Sequence, residues 1–229
     1  MGTIDQIWRY PIKSTGGERL REAEIDARGI VGDRRFAVRD GNGKFCSGKN
    51  TRRFRRMDGL LHLSSRLTAE GPRLFDPRGR AMPDAGTYLR AYLGRDDVDI
   101  AEEGDISHFD QLALSVLTTA TLDWLADQLP GIPVDARRFR PNIVVRTPPG
   151  TRPFAEDGWF GRKARAGRAR IAFDRASIRC VMVDAAQPDL PYSPLVLRTL
   201  ARAHDSRLDA LAEVVTPGTI RLGDEITLL

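Results

Sequence analysis

The stretch RFAVRDGNGKFCS, Arg35–Ser47, decides how the rest of the chain is read. Phe36 and Val38 fall on one side of Arg35–Arg39, the period of two expected of a half-buried strand. Asp40-Gly41-Asn42-Gly43 follows, a run suited to the positive backbone angles of a hairpin turn. Lys44–Ser47 supplies the returning strand. Both arms are short and antiparallel, which points to an architecture of hairpins.

The rest of the chain repeats this pattern. Thr3–Ile12 reads as an opening strand closed by Pro11. Leu60–Leu67, Arg73–Asp76, Val98–Glu102, Leu112–Leu117, Ile143–Arg146, Arg168–Phe173, Ser177–Val183, Leu211–Thr216 and Glu225–Leu229 read as further strands, with Pro217-Gly218 as a turn. Only two helices stand out. One follows Thr118 as N-cap, with Leu122, Leu125, Ala126 and Leu129 at helical spacing and Pro130-Gly131 as its stop. The other begins at Ser193-Pro194 and lines Leu195, Thr199, Leu200 and Ala203 along its inner side. Pro77–Gly86 and Pro148–Asp157 read as loops. Many short strands and few helices predict a mainly β (α+β) fold of barrel type and argue against a parallel α/β sheet. A soft boundary near residue 105 divides a β-rich unit, 1–105, from a second unit, 106–229, though the opening strand is free to join the second.

Composition narrows the class. The chain has 229 residues, of which 41% are hydrophobic, an ordinary globular balance. No apolar run approaches the ~20 residues of a membrane span, and Met1–Ile12 has no export-signal pattern. A cytoplasmic protein is expected, with no membrane partner. The net charge is +5, which favours anionic ligands. The densest basic run, TRRFRR at Thr51–Arg56, reads first as a solvated face, so no nucleic-acid partner is expected. Of 36 basic residues only Lys13, Lys44, Lys49 and Lys163 are lysines. A chain this rich in Arg keeps a Lys where a compact ammonium is wanted.

Cys46 and Cys180 form no C-x-x-C pair, and His62, His108 and His204 are scattered. A zinc site or an iron–sulfur cluster held by this chain alone is therefore not expected. Gly43–Asn50 nearly spells a P-loop, but Asn50 stands where a hydroxyl should hold magnesium, and no amphipathic helix follows.

Four other stretches carry more weight: IWRYPIKS (Ile7–Ser14), GDRRF (Gly32–Phe36), RFRPNIVV (Arg138–Val145) and SIRC (Ser177–Cys180). They precede a terminus reading PGTIRLGDEITLL. In this order and spacing they resemble the MOSC family of molybdenum-cofactor proteins, which includes amidoxime reductases and the C-terminal domain of molybdenum-cofactor sulfurase. The resemblance covers nearly the whole chain. It implies an N-terminal β-rich domain through about residue 105 followed by a β-barrel MOSC domain, and a molybdopterin cofactor carrying molybdenum.

Residue by residue, the resemblance implies Cys180 as the metal ligand and catalytic residue, and a thiolate is a soft donor suited to such a metal. Arg179 beside it would favour the thiolate. Lys13, Ser14, Arg34 and Thr118 match cofactor-contacting positions, and Arg179 would join them in holding the pterin and phosphate. Arg140 can grip a phosphate through two parallel hydrogen bonds, and the Asn142 amide can read a pterin edge. A carboxylate partner for Arg140 and a plain N-cap role for Thr118 are the competing readings. Cys46 lacks family context and reads as packing, as do Trp8, Trp124 and Phe139, whereas Trp159 is left between pocket and core.

Some positions depart from the family's mitochondrial reductases. Val181-Met182-Val183-Asp184 replaces a run with two threonines, Lys49-Asn50 replaces an Arg-Gln, and Asp110 aligns with the family's acidic residue only after a shift. The expected function is a molybdenum-cofactor oxidoreductase acting on small N-hydroxylated or N-oxide compounds. Its electrons would come from a separate flavodoxin- or ferredoxin-type protein, because no dinucleotide fingerprint or cluster motif is present. Sulfur transfer through a Cys180 persulfide and a non-catalytic cofactor carrier are the alternatives.

Overall fold

A computed structural model describes residues 1–229. Its first eleven strands are β1 (Gly2–Arg9), β2 (Ile12–Lys13), β3 (Glu18–Leu20), β4 (Glu22–Asp26), β5 (Gly29–Ile30), β6 (Phe36–Arg39), β7 (Phe45–Ser47), β8 (Phe54–Arg56), β9 (Ser64–Thr68), β10 (Gly71–Phe75) and β11 (Asp99–Glu102). Then come β12 (Leu114–Thr118), β13 (Ile143–Arg146), β14 (Lys163–Ala166), β15 (Ala169–Ile178), β16 (Arg207–Thr216), β17 (Gly218–Arg221) and β18 (Glu225–Leu228). Three α-helices interrupt them: α1 (Ala85–Leu93), α2 (Thr119–Gln128) and α3 (Leu195–His204).

Seven strands close a barrel in the order β13-β12-β16-β15-β14-β18-β1, with β1 completing the circuit against β13. Only β12 and β13 run parallel. A parallel pair needs a long crossover, and α2 lies in that connection. Inside, Ala164, Ala166, Ala169, Ala210 and Ala212 pack with Ile4, Ile7, Val116, Ile143, Ile171 and Ile226. Such small side chains suit the narrow lumen of a small barrel. Strand alternation sends the neighbours of these residues outward, so Ser115 and Leu211 face away from the lumen and line a cleft.

The chain's first thirty residues are woven into this barrel. β1 is one of its staves, β3 extends from β1, and β4 pairs with β17. β2 leaves it and pairs in parallel with β6. β6 is flanked by β11 and β7, and β8 runs parallel to β7. The core of this second sheet contains Ile12, Val38, Cys46, Leu74 and Leu89, the last from α1. A third apolar cluster joins Leu117, Leu125, Phe139, Val183, Val196 and Leu200 beneath α2 and α3.

The Arg35–Ser47 hairpin forms as expected, and Asp40 locks its turn by accepting from the N–H groups of Asn42 and Lys44 at 3.0 and 2.9 Å. Thr118 caps α2 through its side chain, at 3.2 Å from the Thr121 N–H. Trp8 and Phe139 are buried, and Trp159 packs against Phe173 in the barrel core.

Several elements differ from expectation. The opening strand breaks at Tyr10-Pro11 because the Tyr10 N–H turns to the Asp33 carboxylate, 2.8 Å away. Leu60–His62 is a 3-10 turn, and only Ser64 onward is strand. The second expected strand at Ser177–Val183 does not exist. Ser177 and Ile178 end β15, and Val181–Asp184 coils into a 3-10 turn that buries Val183 beneath α3. The helix α1, capped by Asp84 and stopped by Gly94, is not among the expected elements, and its first two residues fall in the stretch read as loop. In α3 the buried residues are Val196 and Leu200, while Leu195 and Ala203 are exposed. Ser193 makes no side-chain cap there; Asp184 accepts from the Leu197 N–H at 2.9 Å instead. No helix is long and apolar enough to cross a membrane.

Candidate functional site

A cleft of about 350 Å³ opens where the barrel wall meets the β2–β6–β7 sheet. Lys13, Ser14, Arg34, Arg140, Asn142, Arg179 and Cys180 all line it, although they come from four stretches far apart in sequence. Thr118 does not reach it. Its hydroxyl is buried, bonded to Thr121 and at 2.9 Å to Glu156, so the plain N-cap reading prevails over cofactor contact.

Charge is concentrated in the cleft. Lys13, Arg34, Lys49, Arg140 and Arg179 face a single lining carboxylate, Asp110. Asp110 bridges the Lys13 and Lys49 ammonium groups at 2.7 and 2.9 Å. Burial works against its ionisation, but the two lysines outweigh that and hold its carboxyl at about 2. Lys13 is lowered to about 8, first by burial and then by Arg34 and Lys49, with Asp110 opposing. Arg140 has no carboxylate partner, contrary to the competing reading of the sequence. Burial, helped by Arg34, lowers it to about 10. Its guanidinium donates to the Thr15 carbonyl and lies 4.2 Å from the Tyr10 ring centre.

Three of these residues adopt left-handed backbone: Ser14 (φ 67°), Arg34 (φ 50°) and Arg140 (φ 57°). Each costs ~1–2 kcal/mol for a residue with a Cβ, so the surroundings must hold them. Asp33, fully buried, provides much of that hold. Its carboxylate accepts from the Tyr10 N–H, from the Arg34 guanidinium and, at 3.0 Å, from the Asn142 amide. Asn142 spends its other N–H on the Trp8 carbonyl at 3.3 Å, and its oxygen accepts from the Ser115 N–H at 3.3 Å. An amide with both donors used cannot also donate to a pterin edge. Asn142 is a strut between β1, β12 and Asp33, which corrects the sequence reading.

Cys180 follows β15 in extended conformation and caps the Val181–Asp184 turn, with its thiol exposed. Ile178 (69% exposed) and Val181 (56%) give the rim around it an apolar character. Arg179 turns away from a simple role as the thiol's counter-charge. It donates to the Phe139 carbonyl, to Ser177 Oγ at 3.0 Å and to Asp209 Oδ2 at 3.2 Å. Its Nε is buried without a partner. Cys46 lies in the core of the second sheet, where burial pushes its thiol up to about 12. It is packing, as expected.

The P-loop look-alike forms no phosphate cradle. Phe45–Ser47 is strand, and Lys49 reaches Asp110. In the basic run, Arg53 donates to the Ser107 and Phe109 carbonyls, Arg55 pairs with Asp40 and Arg56 with Asp58. Two of the run's four charges, Arg55 and Arg56, are paired with carboxylates within the chain.

Sequence reading passed over Lys49, Asp33, Ser115 and Asp209. Lys49 carried a signal in the scarcity of lysine. The other three are recognisable only once distant strands are brought together. The donor set suits an anionic, metal-bearing ligand: a cation surplus, an Arg140 guanidinium with no carboxylate partner and an exposed soft thiol. No His/Cys/Asp/Glu cluster is present that could hold a metal by protein ligands alone.

Comparison with known proteins identifies the family. Residues 103–227 match the MOSC domain, and residues 1–96 match the MOSC N-terminal beta barrel domain. Mitochondrial amidoxime-reducing component 1 of Mus musculus is 26% identical over an alignment spanning 100% of this chain and 83% of the mouse protein. Molybdenum cofactor sulfurase of Oryza sativa subsp. japonica is 31% identical over 90 residues, 39% of this chain but 10% of that enzyme. The crystal structure of the YUAD protein from Bacillus subtilis shares the fold, with a TM-score of 0.54 at 13% identity over 99% of this chain and 94% of that one. With both of its parts matched in order, the chain belongs to the MOSC family.

Proposed function

We propose that this chain binds a molybdenum cofactor and reduces small N-hydroxylated or N-oxide compounds with electrons from a separate flavodoxin- or ferredoxin-type protein. One observation carries the reading: the exposed Cys180 thiol stands at the rim of a cleft lined by five cations and one carboxylate. The similarity to a protein named for amidoxime reduction supports the choice of substrate.

Cys180 would supply the thiolate to the metal, and Lys13, Ser14, Arg34, Arg140 and Arg179 would hold the phosphate and ring system. When bound, the cofactor supplies the two-electron removal of oxygen from nitrogen. The chain's own part is placement and charge. Arg140 offers a guanidinium not already neutralised by a carboxylate. Asp110 bridges Lys13 and Lys49 with one negative charge and so leaves one of their two charges uncancelled. The left-handed turns at Ser14, Arg34 and Arg140 fix those groups before a ligand arrives, which lowers the ordering cost of binding. Ile178 and Val181 present an apolar entrance beside the thiol.

The test is purification from a host that makes the cofactor. Stoichiometric molybdenum, pterin fluorescence after oxidation, and amidoxime reduction only with a reconstituted donor are expected. Cys180→Ser should abolish turnover and Cys46→Ser retain most of it. Metal- and pterin-free protein, or full turnover with NADH or NADPH alone, would overturn the proposal. The exposure of Cys180 also suits a persulfide-carrying thiol. Cyanide-labile sulfur on Cys180, in protein that lacks reductase activity, would favour that second reading.

A further inference from the structure

Strand β16 does not pair residue for residue with β15. Ala176 faces Ala210 and Ser177 faces Leu208, so Asp209 is the extra residue of a bulge. Its φ is 60°, the left-handed conformation that bulges of this kind ordinarily give to glycine. An aspartate here bears backbone strain, and its side chain is also buried, with 1% exposure. Oδ2 accepts from Ser115 Oγ and from Arg179 Nη1. Oδ1 has no partner, and neither does Arg179 Nε. A guanidinium and a carboxylate can join through two parallel hydrogen bonds, yet this buried pair makes one. Ser115 and Arg179 both line the cleft.

We propose that Asp209 is a positioning residue of the cleft: it holds the Arg179 guanidinium through Nη1, and gain or loss of its proton sets how much of Arg179's charge is presented to an anion. The half-made pair is the physical basis. The Nε–H stays buried and unpartnered, and protonation of the carboxylate removes the competitor for Nη1, the arm that an anion in the cleft would then take. The charged or titrating groups around Asp209 are Arg179 at the end of β15, Glu156 in the Ala155–Trp159 turn, and Arg34 after β5. Burial, reinforced by Glu156 and opposed by Arg179, the Ser115 hydrogen bond and Arg34, raises its carboxyl to about 6. Below that pH Asp209 is neutral and Arg179 is released to the anion; above it the pair holds. By linkage, a bound anion must favour the protonated carboxyl.

The choice of anion rests on the proposed cofactor, so the experiment has one arm without it. In cofactor-free protein, the Arg179 Nε–H signal, assigned by its loss in Arg179→Lys, should titrate near pH 6 and stay fixed in Asp209→Asn. In loaded protein, pterin retained after gel filtration should be about threefold higher at pH 5.5 than at pH 8, an effect of ordinary allosteric size. Asp209→Asn should retain it equally at both. Asp209→Gly relieves the bulge but leaves Arg179 unheld, so its pterin retention should drop at both pH values. A merely structural Asp209 would lower retention in Asp209→Asn and Asp209→Gly alike. An Arg179 signal that ignores pH in the wild type, or titrates identically in Asp209→Asn, overturns the proposal. Wild-type protein that purifies without pterin while the Arg179 titration holds would sink the cofactor reading and leave the role of Asp209 standing.

Discussion

Arg34 donates from Nη2 to the backbone oxygen of Arg140 at 3.1 Å, and both residues are in left-handed conformation. Their guanidinium groups also lie 4.7 and 4.2 Å from the ring centre of Tyr10. Tyr10 is buried and anchors its hydroxyl on the Pro141 carbonyl at 3.1 Å, which ties the turn after β1 to the turn before β13. Two like charges are thus held beside one aromatic ring, an arrangement worth ~0.5–2 kcal/mol per cation when desolvated. It is poorly explained by stability alone.

The two arginines should therefore behave differently when removed. Arg140 has no carboxylate to leave behind, and its buried charge is costly. Arg140→Met should leave the cofactor-free chain unchanged or stabilise it by ~1 kcal/mol. Arg34→Met strands the buried Asp33 carboxylate and should cost ~3 kcal/mol. Both should weaken pterin retention by roughly tenfold or more, the worth of one charged hydrogen bond. Urea unfolding and pterin assay check this. Equal destabilisation by the two variants would show that Arg140 is a structural clamp.

The pH dependence of stability should contain a term from His108. This fully buried ring accepts from Arg39 Nη2 at 3.1 Å and contacts the Arg34 carbonyl through Nδ1 at 3.0 Å, so it is neutral with the proton on Nδ1. Burial lowers it from 6.5 to about 4, against the pull of Glu103 and the hydrogen bond to Arg34. Between those values the unfolded chain takes a proton that the folded chain refuses, so stability is lost as pH falls from 6.5 to 4, by up to ~3 kcal/mol. Asp209 runs the other way. Its folded value, about 6, lies above the ordinary 3.8, so it adds stability as pH falls from 6 to 3.8. The two partly cancel in the wild type. In His108→Asn, which keeps an N–H for the Arg34 carbonyl but cannot charge, the His108 contribution is removed and the Asp209 effect is no longer opposed by it. The variant should gain ~1–3 kcal/mol on the wild type between pH 7 and pH 4.5. A constant difference across that range would show that His108 does not titrate there.

Local pattern made the hairpins legible, because turn chemistry and period-two alternation act within a few residues. The same is true of α2, whose cap and stop are both local. Helix α1 had comparable signals in Asp84, Leu89 and Gly94, but the Pro77–Gly86 composition around its start reads as loop. The apolar alternation of Val181 and Val183 mimicked a strand, and only packing under α3 decides for a 3-10 turn. The cleft was legible as motifs and not as geometry. Sequence placed Asn142 in it but could not show that Trp8, Asp33 and Ser115 consume its amide. Asp209 carries no signal, since it lies just before the expected strand Leu211–Thr216 and the bulge exists only in register with β15.

Two glycines test how firmly the cleft is framed. A Cβ at Gly17 would lie 2.5 Å from the Arg9 carbonyl oxygen and 2.5 Å from the Tyr10 ring. Backbone and a buried ring cannot step aside, so Gly17→Ala should cost ~2–3 kcal/mol, at the upper end for overpacking. It should also displace Tyr10 and with it both arginines. A Cβ at Gly48 would meet Met182 Sδ at 2.9 Å and its methyl carbon at 3.2 Å. A thioether end has rotamers to spare, so Gly48→Ala should cost less than ~1 kcal/mol. Met182 belongs to the turn that begins at Cys180, and moving it should change the alkylation rate of that thiol. Urea unfolding read beside iodoacetamide kinetics at Cys180 separates the two effects. Gly17→Ala should shift stability most, and Gly48→Ala should shift thiol reactivity with little change in stability. If Gly48→Ala unfolds the chain as readily as Gly17→Ala, the contact between β7 and the Cys180 turn is a fixed joint of the fold and not an adjustable wall of the cleft.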